Sequence, residues 1–319
     1  MVDFFTNIYS SIKIKNSFLV KIRFYSLLRV IVRQTANILF PVYFQLTKNK
    51  YSIPKDNTTI DDGLIVSFTS FPARIKKVHL VVETILRQTV LPDRIILWLS
   101  QEQFPTEETI PNKLLELRNR GLEIVFCEGD LRSYKKFYYT VRDYPESDFI
   151  IIDDDTFYPS DTIESLVNCN KEHPSTVCFN IGRRLNIVDN EIKNYKSWCL
   201  LDRGTIPRYD IMATGVGGVY YPAHVLNLEV LNKKVFMKTC KFADDIWLYA
   251  MTLLNKNKLV RTNQNKTPLP VINKNNITLT SVNVGKDLND TQLNDVRDYF
   301  IENHGVDPFN KLFEYSMYE

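Results

Sequence analysis

A regular alternation between Leu64 and Ile152 constrains this chain more than any other feature. Short apolar runs at Leu64–Phe68, Asp93–Leu99, Leu122–Phe126 and Phe149–Ile152 read as strands. The stretches Lys76–Gln88, Pro111–Arg120 and Ser133–Tyr144 between them read as helices. In the first helix Val78, Val81, Val82 and Ile85 share the inward face. Gly121 suits the left-handed residue that closes the second, and Pro145 follows the third. Strand–helix repetition of this kind builds right-handed crossovers and a parallel sheet. The expectation is therefore an α/β fold, with a mostly parallel sheet flanked by helices. With 319 residues and 44% hydrophobic content, the chain can bury a sizeable core.

Ligands of such sheets sit outside the carboxyl ends of the strands. One strand end reads FIIIDDDTFYP, from Phe149 to Pro159. Adjacent carboxylates repel, and taking each out of water costs on the order of several kcal/mol. A divalent cation offsets that cost. On a tight turn Asp153 and Asp155 can point the same way and share one small site. Two carboxylates suit a hard cation such as Mg2+ or Mn2+, which completes its shell with water and substrate phosphates. The plainer alternative is a solvated acidic turn.

Four further features bear on chemistry. Asp244 and Asp245 open a helix expected over Asp244–Asn255, where the helix dipole favours negative charge. Either one caps that helix, or one serves as a general base toward an attacking hydroxyl. The run Thr214-Gly215-Val216-Gly217-Gly218 allows close approach of backbone to a ligand. It lacks the Gly-Lys-Ser/Thr ending of a phosphate-binding P-loop. Arg74, Lys135, Lys136, Arg183 and Arg184 follow strands or open helices, and suit a diphosphate. His304, alone and late in the chain, is a candidate third metal ligand.

Other elements are expected as helices at Asp161–Asn168 and Leu288–Asn303, and as strands at Thr176–Phe179 and Gly218–Tyr221. Residues 262–280 have a loop composition, and residues 47–62 read as a linker. The expected organisation is an N-terminal segment (1–50), a catalytic domain (64–261) and a C-terminal loop and helix (262–319).

The overall net charge of +3 gives no argument for nucleic acid. The first fifty residues are different: eight Lys and Arg stand against the single acid Asp3. Residues 18–40 read as an amphipathic helix ended by Pro41. Arg23, Ser26, Arg29, Arg33 and Asn37 lie on one face, and Val20, Phe24, Leu27, Leu28, Ile31 and Ile38 on the other. Such a helix either lies on an anionic membrane or packs against the domain. No apolar run is long enough for a transmembrane helix, and the start lacks a signal-peptide layout. Five scattered cysteines without a C-x-x-C pair suggest reduced thiols in a cytosolic protein.

Taken together, VSFTSFPARI, ILRQT followed by LPDRIILWLS, IIIDDD, GVGGVYYP and FADDIWL resemble the GT-A class of nucleotide-sugar glycosyltransferases. Within it the chain looks like bacterial surface-polysaccharide enzymes of the glycosyltransferase 2-like type. The resemblance spans Leu64 to Arg261. It implies that Asp153-Asp154-Asp155 matches the D-x-D motif, with Asp155 on Mn2+ or Mg2+ and Asp153 near the ribose or the metal. It implies that Thr69, Ser70 and Arg74 border base and ribose, and that Lys135 or Lys136 lies near the nucleotide. Gly217 and Gly218 would border sugar and acceptor, and Asp244-Asp245 would hold the catalytic base. The implied partners are a nucleotide-sugar donor, UDP-linked, and a glycan or lipid-linked acceptor at the cytosolic face of a membrane. The implied reaction inverts the sugar. Two rival classes remain. A nucleotidyltransferase would need a glycine-rich first loop, and SFTSFPARI has no glycine. A non-catalytic sugar-nucleotide-binding protein would need no base.

Overall fold

In the run Ile65-Val66-Ser67-Phe68 every residue is buried, and its apolar side chains alternate between two cores. Ile96 and Trp98 enter one core, Ile95, Leu97 and Leu99 the other. This period of two, apolar on both sides, is what a central strand covered by helices requires. The computed structural model describes residues 1–12, 24–53, 63–273 and 288–315.

Two helices open the chain, α1 (Val2–Ser11) and α2 (Phe24–Thr47). The expected alternation then follows: β1 (Ile65–Thr69), α3 (Ile75–Ile85), β2 (Arg94–Ser100), β3 (Leu122–Cys127), α4 (Lys135–Asp143) and β4 (Phe149–Ile151). After the aspartates come β5 (Thr156–Phe157), α5 (Thr162–Glu172), β6 (Val177–Phe179) and β7 (Gly182–Arg184). Next are β8 (Cys199–Leu200), β9 (Ile211–Ala213), β10 (Val219–Tyr221), α6 (Lys233–Thr239) and α7 (Asp244–Leu254). The chain closes with β11 (Leu259–Arg261), β12 (Leu269–Pro270), α8 (Leu288–His304) and the short helix Asn310–Tyr315.

The main sheet has seven strands in the order β11-β6-β10-β4-β1-β2-β3. All neighbours pair in parallel except β10, which is antiparallel to both β4 and β6. A second, three-stranded sheet places β7 between β8 and β9. The mostly parallel sheet flanked by helices is thus present as expected.

Local differences have identifiable causes. The helix expected over Pro111–Arg120 is one α-turn, Asn112–Leu115, followed by a tighter 3-10 segment, Glu116–Arg120. Gly121 does close it, at φ 105°. A Cβ there would meet Ile53 Cβ at 2.8 Å, so the position also admits the incoming chain. Ile53 itself is buried and donates its N–H to Arg120 O at 3.0 Å. Part of the expected linker is therefore fastened to the domain; residues 54–62 of it lie outside the described residues. The expected loop over 262–280 contains β12, which pairs antiparallel with β5; its residues 274–280 lie outside the described ones. In α8, Leu293, Val296 and Phe300 join the core, with Phe300 against Trp247 at 6.0 Å between rings.

Pro41 does not end its helix. It lies inside α2, which continues to Thr47. Phe40 and Phe44 flank it and are fully buried, Phe40 edge-on to Phe5 (5.5 Å) and Phe157 (4.8 Å). Burying each ring stabilises by about 2 kcal/mol, which offsets the hydrogen bond that proline removes. Residues 18–23, where the sequence begins this helix, lie outside the described ones. Because α2 is packed this way, Phe40→Ala should cost about 3–4 kcal/mol in urea unfolding. Unchanged stability would mean that α2 is not part of the cooperative unit.

Candidate active site

The carboxyl ends of β1 and β4, the first turns of α4 and α7, and the turn between β9 and β10 line one cleft of about 650 Å3. All three aspartates of the IIIDDD motif reach it, together with Asp244 and Asp245. Ile152 N donates to Ser67 O at 3.2 Å and ends the pairing of β4 with β1. The chain then turns. Asp153 N donates to Tyr158 Oη at 2.8 Å, and Val271 N donates to Asp155 O at 2.7 Å. The aspartate turn is thereby held from both sides.

The three carboxylates have different partners. Asp154 is buried and accepts from Ser70 Oγ at 2.5 Å and from Arg74 Nη1 at 2.8 Å. Both its oxygens are used within the protein. Asp154 therefore braces the Thr69–Arg74 loop. Burial pushes its pKa up, against the pull of Arg74. Asp155 is half-buried and also pairs with Arg74, at 2.9 Å. Its pKa is pushed up to about 6, by burial first and then by the charge of Asp153. Asp153 is half-buried and accepts from Lys136 Nζ at 3.1 Å.

Lys136 joins the two acidic groups. Its buried ammonium also lies 2.9 Å from Asp244 Oδ2. Burial alone would lower its pKa; Asp153, Asp244 and Asp245 more than offset this and hold it well above the usual range. Lys136 comes from the first turn of α4, directly over β1, where Ser67 Oγ donates to its carbonyl at 2.5 Å. Lys135 lines the cleft beside it, ion-paired with Asp130. Thr69 Oγ1 donates to Trp98 O at 2.8 Å, which fixes the end of β1.

Asp244 and Asp245 occupy the first turn of α7. Asp244 is buried against Lys136. Asp245 turns to the cleft, its two oxygens 3.3 and 3.4 Å from Gly215 N. Its pKa is pushed up to about 8, by burial first and then by Asp244. The pair thus divides its labour: Asp244 is tied to a cation, and Asp245 faces open space.

Three assignments move. Gly215 is the glycine that the acids require. A Cβ there would lie 3.0 Å from Lys136 Nζ and 3.1 Å from Asp153 Oδ1. Gly217 instead packs on Ile181, and Gly218 takes φ 83° to enter β10; neither lines the cleft. His304 sits exposed at the last residue of α8, against Tyr299 and Phe300. Asn289, at the other end of that helix, lines the cleft, so His304 lies about 22 Å away along the helix axis. Its expected role as a metal ligand is not supported.

Cleft residues that the sequence reading did not single out include Tyr195, Arg132 and Phe242. Arg183 lies over the Tyr195 ring at 5.3 Å, and Arg132, at φ 55°, over Phe242 at 4.9 Å. A left-handed arginine and a long-range ring contact leave no trace in local sequence.

Among the described residues, no group of three or more His, Cys, Asp or Glu forms a closed metal cage. Asp153 and Asp155 nevertheless fit an open site. Their side chains are 31% and 29% exposed to the cleft, and the acids around them outnumber the paired cations Arg74 and Lys136. A hard divalent cation that takes its remaining ligands from phosphates and water suits this donor set.

No family profile matches the sequence, and no curated protein matches it. Solved structures do match its fold. A mannosyltransferase from Pyrobaculum calidifontis, in complex with GDP-Man and Mn2+, matches with TM-score 0.50 and 12% identity over 90% of this chain and 79% of that one. S. aureus TarS 1-349 with UDP-GlcNAc gives TM-score 0.44 and 9% identity over 77% and 73%. The inositol-1-phosphate CTP transferase from T. maritima gives 0.40 and 11% over 74% and 97%. The latter two are distant likenesses. The chain shares the mixed α/β fold of that mannosyltransferase, with a mostly parallel sheet flanked by helices.

Since Lys136 neutralises both acidic groups, Lys136→Met should cost about 3 kcal/mol in chemical unfolding, mostly from unpaired buried carboxylates. Stability equal to wild type would show that the ion pairs are incidental.

Proposed function

We propose that this chain is a metal-dependent glycosyltransferase that moves a sugar, with inversion, from a nucleotide-sugar donor to a hydroxyl of a glycan or lipid-linked acceptor. The observation that carries this reading is the placement of Asp245. It is a carboxylate with a raised pKa, in the same cleft as Asp153 and Asp155, and the close contact of Lys136 goes to Asp244 instead. A binding protein has no need of such a group. A nucleotidyltransferase has no acceptor alcohol to deprotonate when a phosphate attacks. Its glycine-rich loop is also absent from the Thr69–Arg74 segment. The resemblance to surface-polysaccharide enzymes suggests a growing bacterial glycan as acceptor, and UDP- and GDP-sugars are the first donors to compare.

The geometry supports a set of roles. Asp153 and Asp155 would hold Mn2+ or Mg2+, which when bound neutralises the diphosphate and eases departure of the nucleotide. Thr69 and the segment through Arg74, fixed by Asp154, form the wall against which base and ribose lie. Lys135 and Arg132 add positive charge on the phosphate side. An acceptor hydroxyl then attacks the anomeric carbon. Its proton passes to the Asp245 carboxylate, and the bond from the anomeric carbon to the diphosphate oxygen breaks. Gly215 N keeps the Asp245 carboxylate aimed into the cleft.

Asp245→Asn should lower kcat by about 10²- to 10⁴-fold while donor affinity stays within a factor of a few. Asp155→Asn should instead abolish metal-dependent donor binding, as read by calorimetry. Full turnover by Asp245→Asn removes the base and with it the transferase reading. The pH profile gives an independent check. Only the deprotonated carboxylate accepts a proton, so a raised pKa moves the activity rise to higher pH. In the free enzyme kcat/KM should climb along a limb near the Asp245 value of about 8. A limb near about 4, an ordinary carboxylate value, would contradict the assignment.

A further inference from the structure

The three-stranded sheet separates two neighbouring arginines. β7 lies between β8 and β9, and Arg183 stands directly opposite Leu200 on one side and Met212 on the other. Opposed residues of antiparallel strands project from the same face. That face is a wall of the cleft, since Arg183, Leu200 and Met212 all line it. Arg184 projects from the other face, where its Nε donates to Asp210 Oδ2 at 2.8 Å.

Arg183 has no such carboxylate. Its Nη1 donates to Trp198 O at 3.0 Å, and its guanidinium lies over the Tyr195 ring. Among the described residues it forms no ion pair. Other cations of the cleft differ: Arg74 is paired with Asp154 and Asp155, Lys135 with Asp130, and Lys136 with Asp153 and Asp244. The support of Arg183 is itself anchored. Tyr195 packs on Trp198 with 4.9 Å between rings, and its N–H donates to Asp290 Oδ1 of α8 at 2.6 Å. A half-buried guanidinium held by a carbonyl and a ring keeps N–H groups free for an oxyanion.

This wall adjoins Asp245. Gly215, whose N–H faces the Asp245 carboxylate, comes two residues after the end of β9. The charge of Asp245 also reaches Tyr195: burial first, and then Asp245, push its phenol pKa up. A molecule whose hydroxyl meets Asp245 therefore has its neighbouring atoms against Arg183, Tyr195 and Leu200. Leu200 is 62% exposed and offers an apolar surface to a sugar ring.

We propose that Arg183, backed by Tyr195, forms an oxyanion subsite on the acceptor side of the cleft, and that the acceptor is an anionic saccharide carrying a phosphate or a carboxylate. Its identity as an acceptor subsite rests on the transferase reading; its affinity for an oxyanion does not. A neutral glycan has no group that answers a guanidinium held without a counter-ion. The donor diphosphate is served from the other wall, where Arg132 and Lys135 lie near the aspartate turn.

The test is a ligand-observed NMR titration of the full chain, in EDTA, with glucose, glucose 1-phosphate and glucuronate. Without metal the acids of the cleft repel anions, so binding reports on the arginine wall. The wild-type chain should bind at least one of the anionic sugars about tenfold or more tightly than glucose. Arg183→Gln should remove that preference while the chain stays folded by circular dichroism and keeps its Mn2+-dependent nucleotide-sugar binding. Leu200→Glu sets a carboxylate directly opposite Arg183 at an exposed position, and should remove the preference too. Arg184→Gln, on the other face of the strand, should retain it. Preference for glucose 1-phosphate marks a phosphate-bearing acceptor, preference for glucuronate a uronic acid, and either supports the subsite. No preference in the wild-type chain, or one that survives Arg183→Gln, overturns the proposal. So does loss of nucleotide-sugar binding in Arg183→Gln, because the guanidinium then serves the donor. Anionic-sugar binding through Arg183 in a chain that binds no nucleotide sugar supports the subsite and overturns the transferase reading alone.

Discussion

Five carboxylates meet at the carboxyl end of one sheet, and their mutual repulsion is the constraint around which the site is built. Two cations from different elements answer it. Arg74, from the loop after β1, spans Asp154 and Asp155, and Lys136, from α4, spans Asp153 and Asp244. These contacts tie the aspartate turn to β1 on one side and to α7 on the other. The balance remains incomplete. Asp155 and Asp245 are both pushed above the ordinary carboxylate range, by burial first and then by a neighbouring carboxylate. A site left acidic in this way suits a cation.

The sheet explains why these groups are adjacent. Parallel pairing of β4, β1, β2 and β3 brings their carboxyl ends to one edge. The antiparallel β10 enters from that edge, so the turn before it, with Gly215, lies over the acids. α7 then presents its amino end to the same place. The residues beyond Arg261 are not a separate appendage. β12 closes on β5, and α8 lays Phe300 against Trp247 while Asn289 reaches the cleft.

Much of this was legible in the sequence, for a physical reason. Strand and helix periodicities are local, so the order from Leu64 to Ile152 could be read directly, and the acids at a strand end pointed to a ligand. What escaped depends on partners distant in sequence. Asp154 turns inward because Ser70 and Arg74, about eighty residues earlier, donate to its two oxygens. Gly215 rather than Gly217 or Gly218 meets the acids, because only the tertiary position of Lys136 and Asp153 tells the three glycines apart. Pro41 reads as a helix end until Phe44 is seen to be buried beyond it. For α2 the sequence separates a polar from an apolar face but cannot say which one the protein covers. The structure covers the face that carries Arg29, Arg33 and Asn37, which Ala36, Phe40 and Phe44 continue, and leaves Leu27, Ile31 and Ile38 exposed.

The central claim is that Asp153 and Asp155 hold a divalent cation together with a nucleotide diphosphate. Its most direct test is Mn2+ binding by electron paramagnetic resonance, with the full chain titrated in the absence and presence of UDP-sugars and GDP-sugars. Coupled ligands tighten one another, so one nucleotide should strengthen Mn2+ binding by at least about tenfold, and Asp155→Asn should abolish the effect. Mn2+ affinity that is the same with and without every nucleotide sugar, or that survives Asp155→Asn, would contradict the account.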